Sequence, residues 1–104
     1  MLKDRLVLYS VERTRDETTR KSTETKRPYK TIFAEAEAVA ADDLYAAAIS
    51  VKKEVIKYVI AYRILQDIPS TVTQVLRKGE TWTLERFVRD KITRNALYLT
   101  RSAN

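Results

Sequence analysis

The sequence predicts a mainly-β fold, a small six-stranded β-barrel or sandwich with one short inserted helix and a long polar loop after the first strand. Three observations predict it. β-branched and aromatic residues recur in short runs with period-two alternation, the pattern of strands that turn one face to a core. Turn chemistry, including Pro69 and Gly79, separates those runs. Six short strands would also expose edges that closure into a barrel removes. At 104 residues the chain reads as a single domain over 1–104.

Leu6, Val7, Leu8, Tyr9 and Val11 form the first strand, covered on both faces near its start. From Arg13 to Arg27 the sequence RTRDETTRKSTETKR has no large apolar residue. It can bury nothing, and reads as an exposed loop or mobile hairpin, an extended basic loop over 13–28 closed by Pro28. In TIFAEAEAVA, Phe33, Glu35 and Glu37 alternate with Ile32, Ala34, Ala36 and Ala38, which is a strand pattern.

Alanine is also the best helix former, and ADDLYAAAISVKK supplies an Asp cap, a Leu44, Ala48 and Val51 stripe and terminal lysines. A helix is expected at 42–52. EVIKYVIAYRIL then places Ile56, Tyr58, Ile60 and Tyr62 on one face and Val55, Lys57, Val59, Ala61 and Arg63 on the other, a long half-exposed strand. QDIPST ends it, because Pro69 cannot donate a ladder hydrogen bond. VTQVLR and TWTLERFV follow as a hairpin across Lys78, Gly79 and Glu80, with Trp82, Leu84 and Val88 facing inward. RDKITRN reads as a polar turn region, and Ala96 to Arg101 as the last strand.

The composition narrows the chemistry. The chain has no Cys and no His, which removes disulfides, the usual general base, the usual nucleophilic thiol and the commonest zinc ligands. One Gly cannot build a GxGxxG or GxxxxGK phosphate loop, and no Ser has a His partner. A non-enzymatic protein without a cofactor or metal is expected. MLKDRLVLYSVER lacks the uninterrupted apolar segment of a signal peptide, and no run approaches the roughly 20 apolar residues of a membrane span. A soluble, cytoplasmically made protein with no membrane partner follows as the expectation.

The net charge of +6 is uneven. Residues 13 to 30 carry seven Lys or Arg against three acids, and 86 to 101 carry five against one. The first of these segments suits either a DNA-contacting arm or a solvated loop pairing with neighbouring subunits. Candidate interface or DNA-facing residues are Arg13, Arg15, Arg20, Lys21, Lys26 and Arg27, Asp42 and Asp43 at the helix start, and Arg89, Lys91 and Arg94 near the last turn. Glu35, Glu37, Asp42 and Asp43 form an acidic cluster, best read as a strand face plus a helix cap. Tyr58, Tyr62, Trp82, Phe87 and Tyr98, with Arg63, Arg86 and Arg89, admit a base-stacking platform, but their alternation favours core packing.

Taken in order, these segments resemble the head-closure, or head-tail joining, proteins of tailed phages. The resemblance runs through Thr31 to Glu37, with Phe33 where that family often has Trp, the Ala-rich stretch Leu44 to Ile49, and a long strand ending Ala61, Tyr62, Arg63. Ala61 departs from the family's Arg-Tyr-Arg type of ending. It continues through Lys78 to Leu84 and closes at Leu97, Tyr98, Leu99. It implies a non-catalytic virion protein of the neck, assembled in the host cytoplasm as a twelvefold or sixfold ring. Its implied partners are its own copies, a portal or adaptor protein, a tail terminator or tail-tube protein, and packaged DNA passing through the channel. The alternative is a small basic nucleic-acid-binding domain of the OB or SH3-like kind, suited to a pI near 9.7.

Overall fold

A computed structural model describes residues 3–39 and 53–102. The described residues form six antiparallel strands: β1 (Asp4–Arg15), β2 (Ser22–Glu37), β3 (Lys53–Ala61), β4 (Val72–Arg77), β5 (Glu80–Lys91) and β6 (Arg94–Ser102). They make one sheet that closes on itself in the order β1-β2-β3-β6-β5-β4. The helix expected at 42–52 lies outside the described residues.

Closure follows from alternation. Leu6, Leu8, Ile32, Ala34, Tyr58, Ile60, Val75, Trp82, Leu97 and Leu99 point inward from all six strands and fill one core. Leu65, on the segment between β3 and β4, enters the same core from one end. That segment is tied down where Asn95, itself buried, donates from Nδ2 to the Leu65 carbonyl at 2.7 Å, and where Tyr62 N donates to the Thr93 carbonyl at 2.8 Å.

Of the two forms expected for the polar segment 13–28, extended loop or hairpin, the structure shows the hairpin, a paired β-ribbon. β4 accompanies β1 as far as Ser10, paired with Val72, and Val11 N still donates to the Thr71 carbonyl at 2.8 Å; beyond that β1 has only β2 beside it among the described residues, and the two run on through Arg13↔Glu24 and Arg15↔Ser22. Between them the chain turns at Asp16–Lys21, where Asp16 Oδ1 accepts from Thr18 N and Arg20 takes a φ of 56°. A ribbon needs no apolar face, because each strand satisfies the other's backbone and the threonines there favour extended structure. Sixteen residues of β2 at about 3.3 Å each span roughly 50 Å, matching the longest molecular extent of 50 Å.

Three expectations need correction. The third strand stops at Ala61 rather than running to Leu65, because Ile64 and Leu65 donate back to the Ala61 carbonyl and turn the chain into the core. The polar turn region RDKITRN is mostly strand, and the turn is only Ile92–Thr93. Val88 is exposed rather than inward, because a bulge between Leu84 and Arg86 shifts the parity of β5 and lets Phe87 reach the core instead.

Candidate assembly and nucleic-acid interface

Register sorts the ribbon's charges. Residues directly opposite in an antiparallel pair share a face. Arg13, Arg15 and Lys26 therefore lie together with Tyr9 and Val11, while Arg27 lies on the other face with Ser10, Glu12, Thr14, Thr23 and Thr25. Lys26 sits over the Tyr9 ring at 4.5 Å, and Arg13 pairs with Glu24 at 3.4 Å on a side chain 80% exposed. Arg20 and Lys21 occupy the turn at the tip. Asp16, in the same turn, has its carboxyl held below the usual range, chiefly by the hydrogen bond from the Thr18 backbone.

At the base of the ribbon β2 parts from β3. Their pairing covers only Glu35↔Val59 to Glu37↔Lys57, so from Ala34 back to Ser22 the side of β2 away from β1 has no strand beside it among the described residues. The gap opens a groove of about 600 Å³ lined by Phe33, Tyr62, Ile64 and Ile92, with Lys3, Glu35 and Arg94 at its borders. Phe33 is 55% exposed and Ile92, at the tip of the β5–β6 turn, 86%. An open strand edge beside exposed apolar side chains is a surface suited to a protein partner.

The second basic segment is different. Arg89 stacks on Tyr62 at 3.7 Å and donates to the carbonyls of Lys91 and Ile92, fastening the β5–β6 turn. Arg94 binds Asp90 at 2.6 Å and Glu37 at 3.1 Å. Both are committed within the chain, whereas Lys91 is exposed beside them. Asp42 and Asp43 lie outside the described residues.

Lys57, read from the sequence as lying on a half-exposed face, is 3% exposed. Its Nζ donates to Glu37 at 3.3 Å and to Asp90 at 3.4 Å, and lies 5.9 Å from the Tyr98 ring. Burial pulls its pKa down, but Glu37, Tyr98 and Asp90 outweigh that and raise it above the usual lysine value. Beside it Val59, Ala96 and Tyr98 form a second apolar cluster, on the outer side of β3 and β6. No local pattern marks Lys57, since its partners Glu37, Asp90 and Tyr98 come from three other strands.

The aromatic platform is not assembled. Tyr58, Trp82 and Tyr98 are buried, and Tyr62 lies beneath Arg89. Tyr58 donates from its hydroxyl to Asp4 at 2.5 Å and accepts from Arg77 Nε at 2.5 Å, and burial together with Asp4 raises its pKa. Trp82 has Arg101 at 4.5 Å and Arg77 at 5.6 Å from its ring, while its buried indole N–H has no hydrogen-bond partner among the described residues. Arg101 is in turn bound by Glu54 and Glu80. Among the described residues no group of His, Cys, Asp or Glu is arranged to hold a metal ion, and no helix is long and apolar enough to cross a membrane.

No protein-family model matches the chain, and no curated protein does. Among solved structures it is similar to the solution structure of protein SF1141 from Shigella flexneri 2a, with a TM-score of 0.63 and 16% identity, covering 99% of this chain and 95% of that one. That likeness is one of fold.

Proposed function

We propose that this protein is a structural subunit of a tailed-phage neck, a head-closure protein whose copies form a ring between the portal or adaptor and the tail. The observation that carries the reading is the groove of Phe33, Tyr62, Ile64 and Ile92 beside the edge of β2 that has no strand against it among the described residues. A closed sheet has few edges to offer, so an open one flanked by exposed apolar side chains is the natural seat of a neighbouring subunit. Head-to-tail contact between two different patches generates a ring when the rotation closes. The projecting ribbon is then free to reach the lumen or the ring above or below.

Light scattering on the purified protein, then negative-stain imaging after mixing with portal-bearing capsids, tests this. Addition of a ring at the portal vertex, lost in Ile92→Asp and Phe33→Asp variants that still melt cooperatively, is the expected result. Capsids left undecorated by folded wild-type protein would overturn it. A small basic nucleic-acid-binding domain of OB or SH3-like kind is the second reading, favoured by a net charge of +6 on a small closed sheet.

A further inference from the structure

The cations of β1 and β2 are not spread evenly around the molecule. Along β1, Arg5, Val7, Tyr9, Val11, Arg13 and Arg15 share the phase that points away from the core, since Leu6 and Leu8 point into it. Their cross-strand partners on β2 are Phe33, Thr31, Pro28, Lys26, Glu24 and Ser22. One continuous face thus carries Arg5, Arg13, Arg15 and Lys26 against a single acid, Glu24. The opposite face of the ribbon holds Arg27 against Glu12, with Ser10 and threonines between.

These cations stand in water and are ready to bind. Arg5, Arg15 and Lys26 are exposed and make no ion pair among the described residues, and the Arg13–Glu24 pair is solvent-exposed and therefore weak. Arg13 and Arg15, two positions apart on one strand, stand about 7 Å from each other, far enough for each to take a different phosphate of a backbone that carries one charge per roughly 3.4 Å of helix axis on each strand. A two-stranded ribbon is also one of the elements that a DNA major groove, about 12 Å wide, admits.

We propose that this outward face of β1 and β2 binds nucleic-acid backbone, with Arg13, Arg15 and Lys26 on the phosphates and Arg5 extending the track. Ser22 and Thr31 add hydroxyls on the same face. Contacts to phosphate carry no sequence information, so binding is independent of sequence. It needs the ribbon alone and holds whether or not the chain forms a ring. Within the proposed ring, and resting on that reading, this is the face turned to the DNA channel.

The test uses the free chain without capsids, so its failure is separate from failure of the ring. Fluorescence anisotropy with labelled duplex and single-stranded oligonucleotides of mixed sequence is followed from 50 to 200 mM salt. A triple variant Arg13→Gln, Arg15→Gln, Lys26→Gln is compared with Arg27→Gln, Arg63→Gln, Lys91→Gln, which removes equal charge elsewhere. The ribbon variant is expected to bind at least tenfold more weakly and to lose about 2 to 3 from the salt slope on duplex, near 0.9 per phosphate contact. The control is expected to lose less than threefold. Equal weakening of both, or no binding by wild type at 50 mM salt, overturns the proposal. Should the triple variant not fold, the three single variants are read in its place, each for a slope change of about 0.9. Phe33→Ala then separates the two forms of nucleic acid, since it weakens single strands alone if they stack on that ring.

Discussion

Lys57 and Asp90, on strands that are not neighbours in the sheet, meet 3.4 Å apart across β6, with Arg94 on the far side of the carboxylate at 2.6 Å. With Glu37 they make a group of two cations and two anions on the outer face of the closed sheet. Its pairings join β2, β3, β5 and β6.

Removing one partner from such a group costs more than removing the buried charge itself, because a buried cation left underpaired keeps its desolvation penalty. Asp90→Asn is expected to destabilise by about 2 kcal/mol and Lys57→Met to stay within about 1 kcal/mol of wild type. Urea unfolding of both variants checks the order; a Lys57→Met loss larger than the Asp90→Asn loss would contradict it.

The same group sets a pH dependence at both ends. Burial opposes the Asp90 charge, but the hydrogen bond from Arg94 and the charge of Lys57 outweigh it and hold its carboxyl below the usual value of 3.8. A depressed acid contributes stability that is complete above its unfolded pKa and lost as pH falls through the folded one. Lys57, raised above 10.5, contributes stability that is complete below that value and lost as pH rises beyond it. Denaturation midpoints are expected to fall below about pH 4 and above about pH 10, with the acid limb flattened in Asp90→Asn.

Lys78 and Gly79 both have positive φ, 50° and 78°, as the central pair of a tight β4–β5 hairpin requires. Asparagine tolerates that region better than lysine, so Lys78→Asn should stabilise by about 0.5 kcal/mol. Gly79→Ala should cost about 1 kcal/mol. The latter is purely conformational, because a Cβ there would meet nothing within 4 Å. Thermal melts of the two variants should move in opposite directions.

The ribbon beyond Ser10 contributes no residue to either apolar cluster. Joining Glu12 to Thr25 through an Asn-Gly turn should therefore leave the melting temperature within about 6 °C of wild type, the shift of about 1 kcal/mol in a domain of this size. A larger fall, or loss of cooperativity, would show that the ribbon supports the closed sheet.

Legibility in the sequence followed burial. The β4–β5 hairpin was readable because Gly79 marks its turn and Trp82 and Leu84 alternate with polar residues. The face of β3 with Ile56, Tyr58 and Ile60 was readable from the same alternation. Whether 13–28 was loop or hairpin stayed open, and its pairing register was not readable, since periodicity reports a core and neither ribbon face touches one. The parity change at Glu85–Arg86 leaves no local signature, which is why Val88 was placed inside. Among the candidate residues, the basic character of 13–28 was plain, but only the pairing register divides Arg13, Arg15 and Lys26 from Arg27. Arg89 and Arg94 looked available because their carbonyl and carboxylate partners are set by folding rather than by spacing.

The pairing of β1 with β4, Leu6 against Arg77, is what closes the sheet. It joins the first strand to the fourth across most of the chain, whereas β4–β5 and β5–β6 are hairpins with two-residue turns. Loop-closure entropy makes local hairpins fast and this seam slow. Until it forms, β1 and β4 each present a bare edge to other chains emerging from the ribosome. Exchange of β1 between two molecules would satisfy the same hydrogen bonds, so a domain-swapped dimer is the misassembled product to look for when the protein is made at high concentration.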